Sequence, residues 1–185
     1  MSPFGIGRSR RRQPKAADSD KPILAVDIDG VLLLFGFEEP PQWPAAEMAL
    51  VGGAMHCISR PASERLRKLA GSFEVVWATG WEGRSSEIAS RLDLPEFPFL
   101  VFDGAARFGS AHWKTAPLEE YARGRPLAWL DDSLEDRCYE WARSRPEPTL
   151  LVEVESHLGL QEVHVEALAA WAKSLAADRS ERPGG

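Results

Sequence analysis

Four consecutive apolar residues, Ile23-Leu24-Ala25-Val26, run without a break into Asp27-Ile28-Asp29-Gly30. So short and unbroken an apolar run predicts a strand covered on both faces, as in a parallel sheet. Two carboxylates then stand where that strand stops. In open parallel sheets the carboxyl ends of the strands are where ligands bind, so one short segment constrains both fold and site.

The same rhythm continues. Phe73-Glu74-Val75-Val76-Trp77-Ala78, Phe99-Leu100-Val101-Phe102, Leu127-Ala128-Trp129-Leu130 and Thr149-Leu150-Leu151-Val152 read as four further strands. Helical patterns fill the gaps. Pro61 to Ala70 opens behind Ser59 as an N-cap and stops at Gly71; Ser85 to Leu92, Pro117 to Ala122 and Ser133 to Arg143 follow. A last helix, about Leu160 to Ala177, spaces Val163, Leu168, Trp171 and Leu175 at helical intervals. Alternation of this kind predicts an α/β, Rossmann-like three-layer fold with a parallel sheet between helices. Residues 31–59 break the rhythm with Gly36, Pro40, Pro41, Pro44, Gly52 and Gly53. No long helix fits there. A small flap with room for a short hairpin is expected, and no large cap domain.

A chain of 185 residues, 44% hydrophobic, suits one domain with a real core, expected over residues 21–178. Its net charge of −6 is unevenly spread: residues 1–21 hold six basic and two acidic side chains. The rest is strongly acidic. Residues 1–20 are expected to be a disordered basic leader and residues 179–185 a disordered tail. A basic arm could touch nucleic acid, whereas the acidic body argues against broad, non-specific nucleic-acid binding. No apolar run is long enough for a membrane span or a secretory signal, so cytoplasmic location is expected and a membrane partner is not. The two cysteines, Cys57 and Cys138, lie far apart in no metal-binding spacing, and are expected to be reduced thiols.

The strand ends collect a chemically coherent set. Asp27 and Asp29 follow the first strand, Thr79 and Gly80 the second, Asp131 and Asp132 the fourth, and His112-Trp113-Lys114 lies between the third and fourth. A carboxylate can attack phosphorus and split a hard displacement into two steps; Asp27 is the candidate. Asp29 is the natural acid/base for the leaving group and then for water. Thr79 and the Gly80 amide can hold phosphate oxygens, and Lys114 supplies fixed positive charge. Crowded carboxylates call for a cation, and Mg²⁺ suits carboxylate and phosphate oxygens together. Each residue also has a plainer reading. Asp131 and Asp132 could cap the following helix, Thr79-Gly80 could simply turn the chain, and Lys114 could be a surface lysine. Trp43, Trp81 and Trp113 could stack on a nucleobase or merely pack; His56 and His112 read as structural or solvated.

Taken together, AVDIDGVL at 25–32, WATGW at 77–81, Lys114, and AWLDDSLED at 128–136 resemble the four ordered motifs of haloacid dehalogenase (HAD) superfamily phosphatases. The resemblance covers roughly residues 22–155. It implies Asp27 as nucleophile, Asp29 as acid/base, and Thr79, Gly80 and Lys114 as phosphate-binding. The implied Mg²⁺ ligands are Asp27, Asp29 through its backbone carbonyl, and Asp132, with which Asp131 could exchange roles. Flanking residues are also similar to small HAD domains associated with RNA repair and to polynucleotide 3′-phosphatases. The expected activity is therefore phosphomonoester hydrolysis through an aspartyl-phosphate, on a small molecule or a nucleic-acid end. Phosphotransfer to another acceptor and a non-catalytic binding or regulatory module are the alternatives.

Overall fold

The computed structural model describes residues 12–17, 19–39, 41, 44–102 and 109–180. In chain order the strands and helices are β1 (Ile23–Val26), β2 (Leu33–Leu34), β3 (Glu47–Val51), β4 (Ala54–Ile58), α1 (Arg60–Leu69), β5 (Glu74–Trp77), α2 (Ser85–Arg91), α3 (Thr115–Ala122), β6 (Leu127–Asp131), α4 (Asp136–Ser144), β7 (Thr149–Glu153) and α5 (Glu162–Ser180). Four strands form one parallel sheet in the order β5-β1-β6-β7. β1 is central, with Val26 level with Trp77 on one side and Leu130 on the other. The fold is α/β and Rossmann-like in its general plan.

Burial on both faces follows from strand alternation. Leu24 and Val26 face a core shared with Leu66 and Leu69 of α1, Ile88 of α2 and Leu168 of α5. Ile23 and Ala25 face the opposite core, with Leu118 and Tyr121 of α3 and Cys138 of α4. All four β1 residues are 0% exposed, which is why that run contains no polar residue.

One expected strand is missing. Of Phe99–Phe102, only Phe99 forms a bridge, with Trp77, and Leu100 N donates to Trp77 O at 2.8 Å. The next amides bond to side chains instead: Val101 N donates to Gln13 Oε1 at 2.9 Å and Phe102 N to Glu82 Oε1 at 3.1 Å. A ladder cannot extend once its donors are taken. The helix expected from Ser133 begins later, at Asp136 with Glu135 as N-cap, so neither Asp131 nor Asp132 caps it.

Residues 31–59 carry a second, antiparallel sheet in the order β2-β4-β3. β3 and β4 form a hairpin through Gly52 and Gly53, both at positive φ, where glycine adopts the turn without strain. Trp43 lies outside the described residues. Of the basic leader, residues 1–11 and 18 lie outside them too. Farther along, Ala17 N donates to Glu74 Oε1 at 2.8 Å and Arg125 Nη1 to Ala17 O at 3.0 Å. At the other end α5 runs to Ser180, and residues 181–185 lie outside the described set. No helix among the described residues is long and apolar enough to cross a membrane. Cys57 and Cys138 are both free and buried.

Candidate active site

β1 and β6 deliver their terminal carboxylates side by side because the two strands are parallel neighbours in register. Asp27 N donates to Leu130 O at 2.9 Å, carrying the pairing one residue beyond β1. Asp27 as a residue is 7% exposed, and its Oδ1 accepts from Ile28 N at 2.7 Å. Lys114 reaches the same point from a 3₁₀ turn, His112–Lys114, that leads into α3. Its Nζ lies 2.6 Å from Asp27 Oδ2 and 2.7 Å from Asp131 Oδ2, with the lysine itself only 3% exposed. The plain surface-lysine reading is thereby excluded. Burial alone would push the Lys114 ammonium down; the charges of Asp27 and Asp131 outweigh it and hold the proton firmly on nitrogen.

Asp131 is fully buried. Beside Lys114 it accepts from Trp129 Nε1 at 3.1 Å and, through Oδ1, from Ser133 N at 3.0 Å. Burial still raises its carboxyl, because one ammonium is shared between two carboxylates. Asp132 has no ion-pair partner among the described residues, and its Oδ1 accepts from Ser133 Oγ at 3.0 Å. Burial, and then the charge on Asp27, raise its carboxyl. Gly30 makes room for it: at φ +72° a Cβ there would lie 2.3 Å from Asp132 Oδ2. The glycine after the two aspartates is thus required twice, by conformation and by close approach.

Asp29 sits on the turn that follows, where Val31, Leu32 and Leu33 amides all donate to Ile28 O. Its Oδ2 accepts from Trp81 Nε1 at 2.9 Å. Burial first, and then the Asp27 charge, raise the Asp29 carboxyl above the ordinary range. Thr79 is fully buried, and its Oγ1 accepts weakly from Trp81 N at 3.4 Å.

A cavity of about 210 Å³ opens over these groups. Asp27, Asp29, Gly80, Lys114, Asp131 and Asp132 all line it. Of the expected set only Thr79 does not. Trp113 lines it as well, packed edge-on to Phe102 at 4.5 Å between centroids. Residues that sequence reasoning passed over are Phe35, Gly109, Ser110 and Ser133. Ser133 had a signal, since a serine directly after two aspartates at a strand end suits a local turn; Phe35 and Ser110 had none. His56 packs against Trp81 and does not line the cavity.

Asp27, Asp131 and Asp132 each offer an oxygen within 4.8 Å of the others. With Asp29 nearby, four carboxylates face one ammonium among the described residues. The donor set is all hard oxygen and carries more negative than positive charge among those residues, so it fits a hard divalent cation. No family model matches the chain, and no curated protein matches it significantly.

Proposed function

We propose that this chain is a magnesium-dependent phosphomonoester hydrolase of the HAD superfamily, working through an aspartyl-phosphate on Asp27. The observation that carries this reading is the buried Lys114 ammonium bridging Asp27 and Asp131, with Asp132, which has no ion-pair partner among the described residues, beside them. An ammonium held at 2.6 Å from Asp27 Oδ2 orients that carboxylate at the floor of the cavity. The motif order in the sequence supports the same conclusion.

In this mechanism an Asp27 oxygen attacks phosphorus while the bond from phosphorus to the leaving oxygen breaks. Asp29, whose raised carboxyl retains a proton closer to neutrality than an ordinary aspartate, protonates the departing oxygen. Now ionised, Asp29 takes a proton from water as that water attacks the acyl phosphate. The bond between phosphorus and Asp27 breaks, and both carboxyl groups return to their starting states. Lys114 offsets charge on the phosphoryl group and on Asp27, and Gly80 lines the phosphate side. Asp27, Asp132 and the Asp29 carbonyl would hold the cation, with Asp131 committed to Lys114. When bound, Mg²⁺ neutralises the negative charge that builds up on the phosphoryl oxygens.

The small antiparallel sheet of residues 31–59 serves as a flap in this reading. A site covered by no more than such a flap would suit bulky substrates such as nucleic-acid ends carrying a 3′-phosphate. The test is phosphate release from nucleotides, sugar phosphates, a phosphopeptide and 3′- and 5′-phosphorylated oligonucleotides, with Mg²⁺ or EDTA. Release is expected to need Mg²⁺, to favour 3′-phosphorylated ends, and to drop roughly 10⁴-fold or more in Asp27→Asn. Undiminished release by Asp27→Asn would overturn the mechanism. Phosphate appearing on an added acceptor in place of water would make the chain a phosphotransferase. No turnover at all from folded, Mg²⁺-loaded protein would leave a non-catalytic module.

A further inference from the structure

We propose that Trp81 is a positioning residue: the β3–β4 hairpin clamps its indole, and the indole aims the Asp29 carboxylate. This deepens the phosphatase reading and rests on Asp29 as its acid/base.

An indole has one donor and no acceptor. Trp81 Nε1 therefore fixes one oxygen, Asp29 Oδ2, at 2.9 Å, which leaves Oδ1 outside that bond on a residue that lines the cavity. A bond of this kind is only as good as the grip on its donor, and Trp81 is gripped on several sides. At the hairpin turn Gly52 lies so close that a Cβ there would sit 3.2 Å from the indole Cζ3. Gly52 N is tied to α2, donating to Glu87 Oε1 at 3.0 Å. The Arg84 guanidinium stands 4.9 Å from the indole centroid, and the His56 ring on β4 meets it edge-on at 5.3 Å. Hairpin, α2 and indole thus form one bracket around the Asp29 side chain. The hairpin does not reach the cavity itself; its influence on the acid/base passes through Trp81.

Two measurements test the bracket. In ¹H–¹⁵N spectra of the full chain, the Trp81 indole peak is identified by its loss in Trp81→Phe. It is expected to move in Asp29→Ala and in Gly52→Ala while the remaining tryptophan peaks report an intact fold. The second is kcat/KM with Mg²⁺ on glycerol phosphate, a poor leaving group, and on p-nitrophenyl phosphate, which needs little protonation. A misaimed general acid hurts the first substrate more, so Trp81→Phe should lose roughly tenfold or more on glycerol phosphate and much less on p-nitrophenyl phosphate. A merely structural tryptophan would lower both alike. An indole peak indifferent to Asp29→Ala, or equal losses on the two substrates, overturns the proposal. A peak that moves as expected in a protein releasing no phosphate overturns the phosphatase reading and retains the clamp.

Discussion

At the scale of single residues, the site is a problem in unbalanced charge. Asp131 accepts three hydrogen bonds, yet burial pushes its carboxyl up to about 6, and burial moves Asp29 and Asp132 in the same direction. A raised carboxyl holds more protons folded than unfolded between the unfolded value, about 3.9, and its own. The stability these three groups contribute therefore falls as pH rises through that window. A cation binds the ionised forms and competes with the protons. Added Mg²⁺ is accordingly expected to raise Tm clearly near pH 7.5 and little or not at all near pH 5, as thermal unfolding at fixed Mg²⁺ would read. An Mg²⁺ effect that is equal at both pH values would count against a carboxylate site. Lys114 does not cancel the trend, because its proton stays on throughout this range.

Among the elements, local signals succeeded where the chain satisfies itself locally. Ser59 Oγ accepts from Ala62 N at 3.3 Å, and Pro61 stands in the first turn of α1, both legible from the sequence. Ser59→Ala should lower stability by about 1 kcal/mol, measured as a shift in urea midpoint without a change in slope. The run Phe99–Phe102 failed as a strand for a non-local reason. Gln13, 88 residues away, takes the Val101 amide, and no periodicity reports such a partner. The start of α4 moved because Asp131 Oδ1 holds the Ser133 amide in a turn, a geometry that also keeps Asp131 aimed at Lys114. The β3–β4 hairpin leaves Met48, Leu50 and Met55 exposed on one face.

Over the whole molecule, the helical layers are joined to the sheet by apolar burial and by a few buried polar staples. Arg145 is the clearest: its side chain is 1% exposed and donates to Glu119 Oε2 of α3 at 2.8 Å and to Thr149 Oγ1 of β7 at 2.7 Å. A third bond runs to Arg125 O at 3.3 Å, and the guanidinium lies over Trp141 at 5.6 Å. Arg145→Ala would remove all of these and leave a void, so a loss of about 2–4 kcal/mol is expected in chemical denaturation. The sequence by itself determined the α/β plan with a parallel sheet between helices, the strand Ile23–Val26 buried on both faces, and the placing of Asp27, Asp29, Asp131 and Asp132 at strand ends. Those follow from period and local chemistry, since a short apolar run that ends in a carboxylate has few alternatives in a parallel sheet. Only the tertiary structure decided that Lys114 is a buried bridge rather than a surface lysine, that Trp81 donates to Asp29 from 52 positions away, and that Gly30 clears space for Asp132. Each of these depends on the distance between segments remote in the chain, and remote distances are set by packing, which composition and periodicity do not encode.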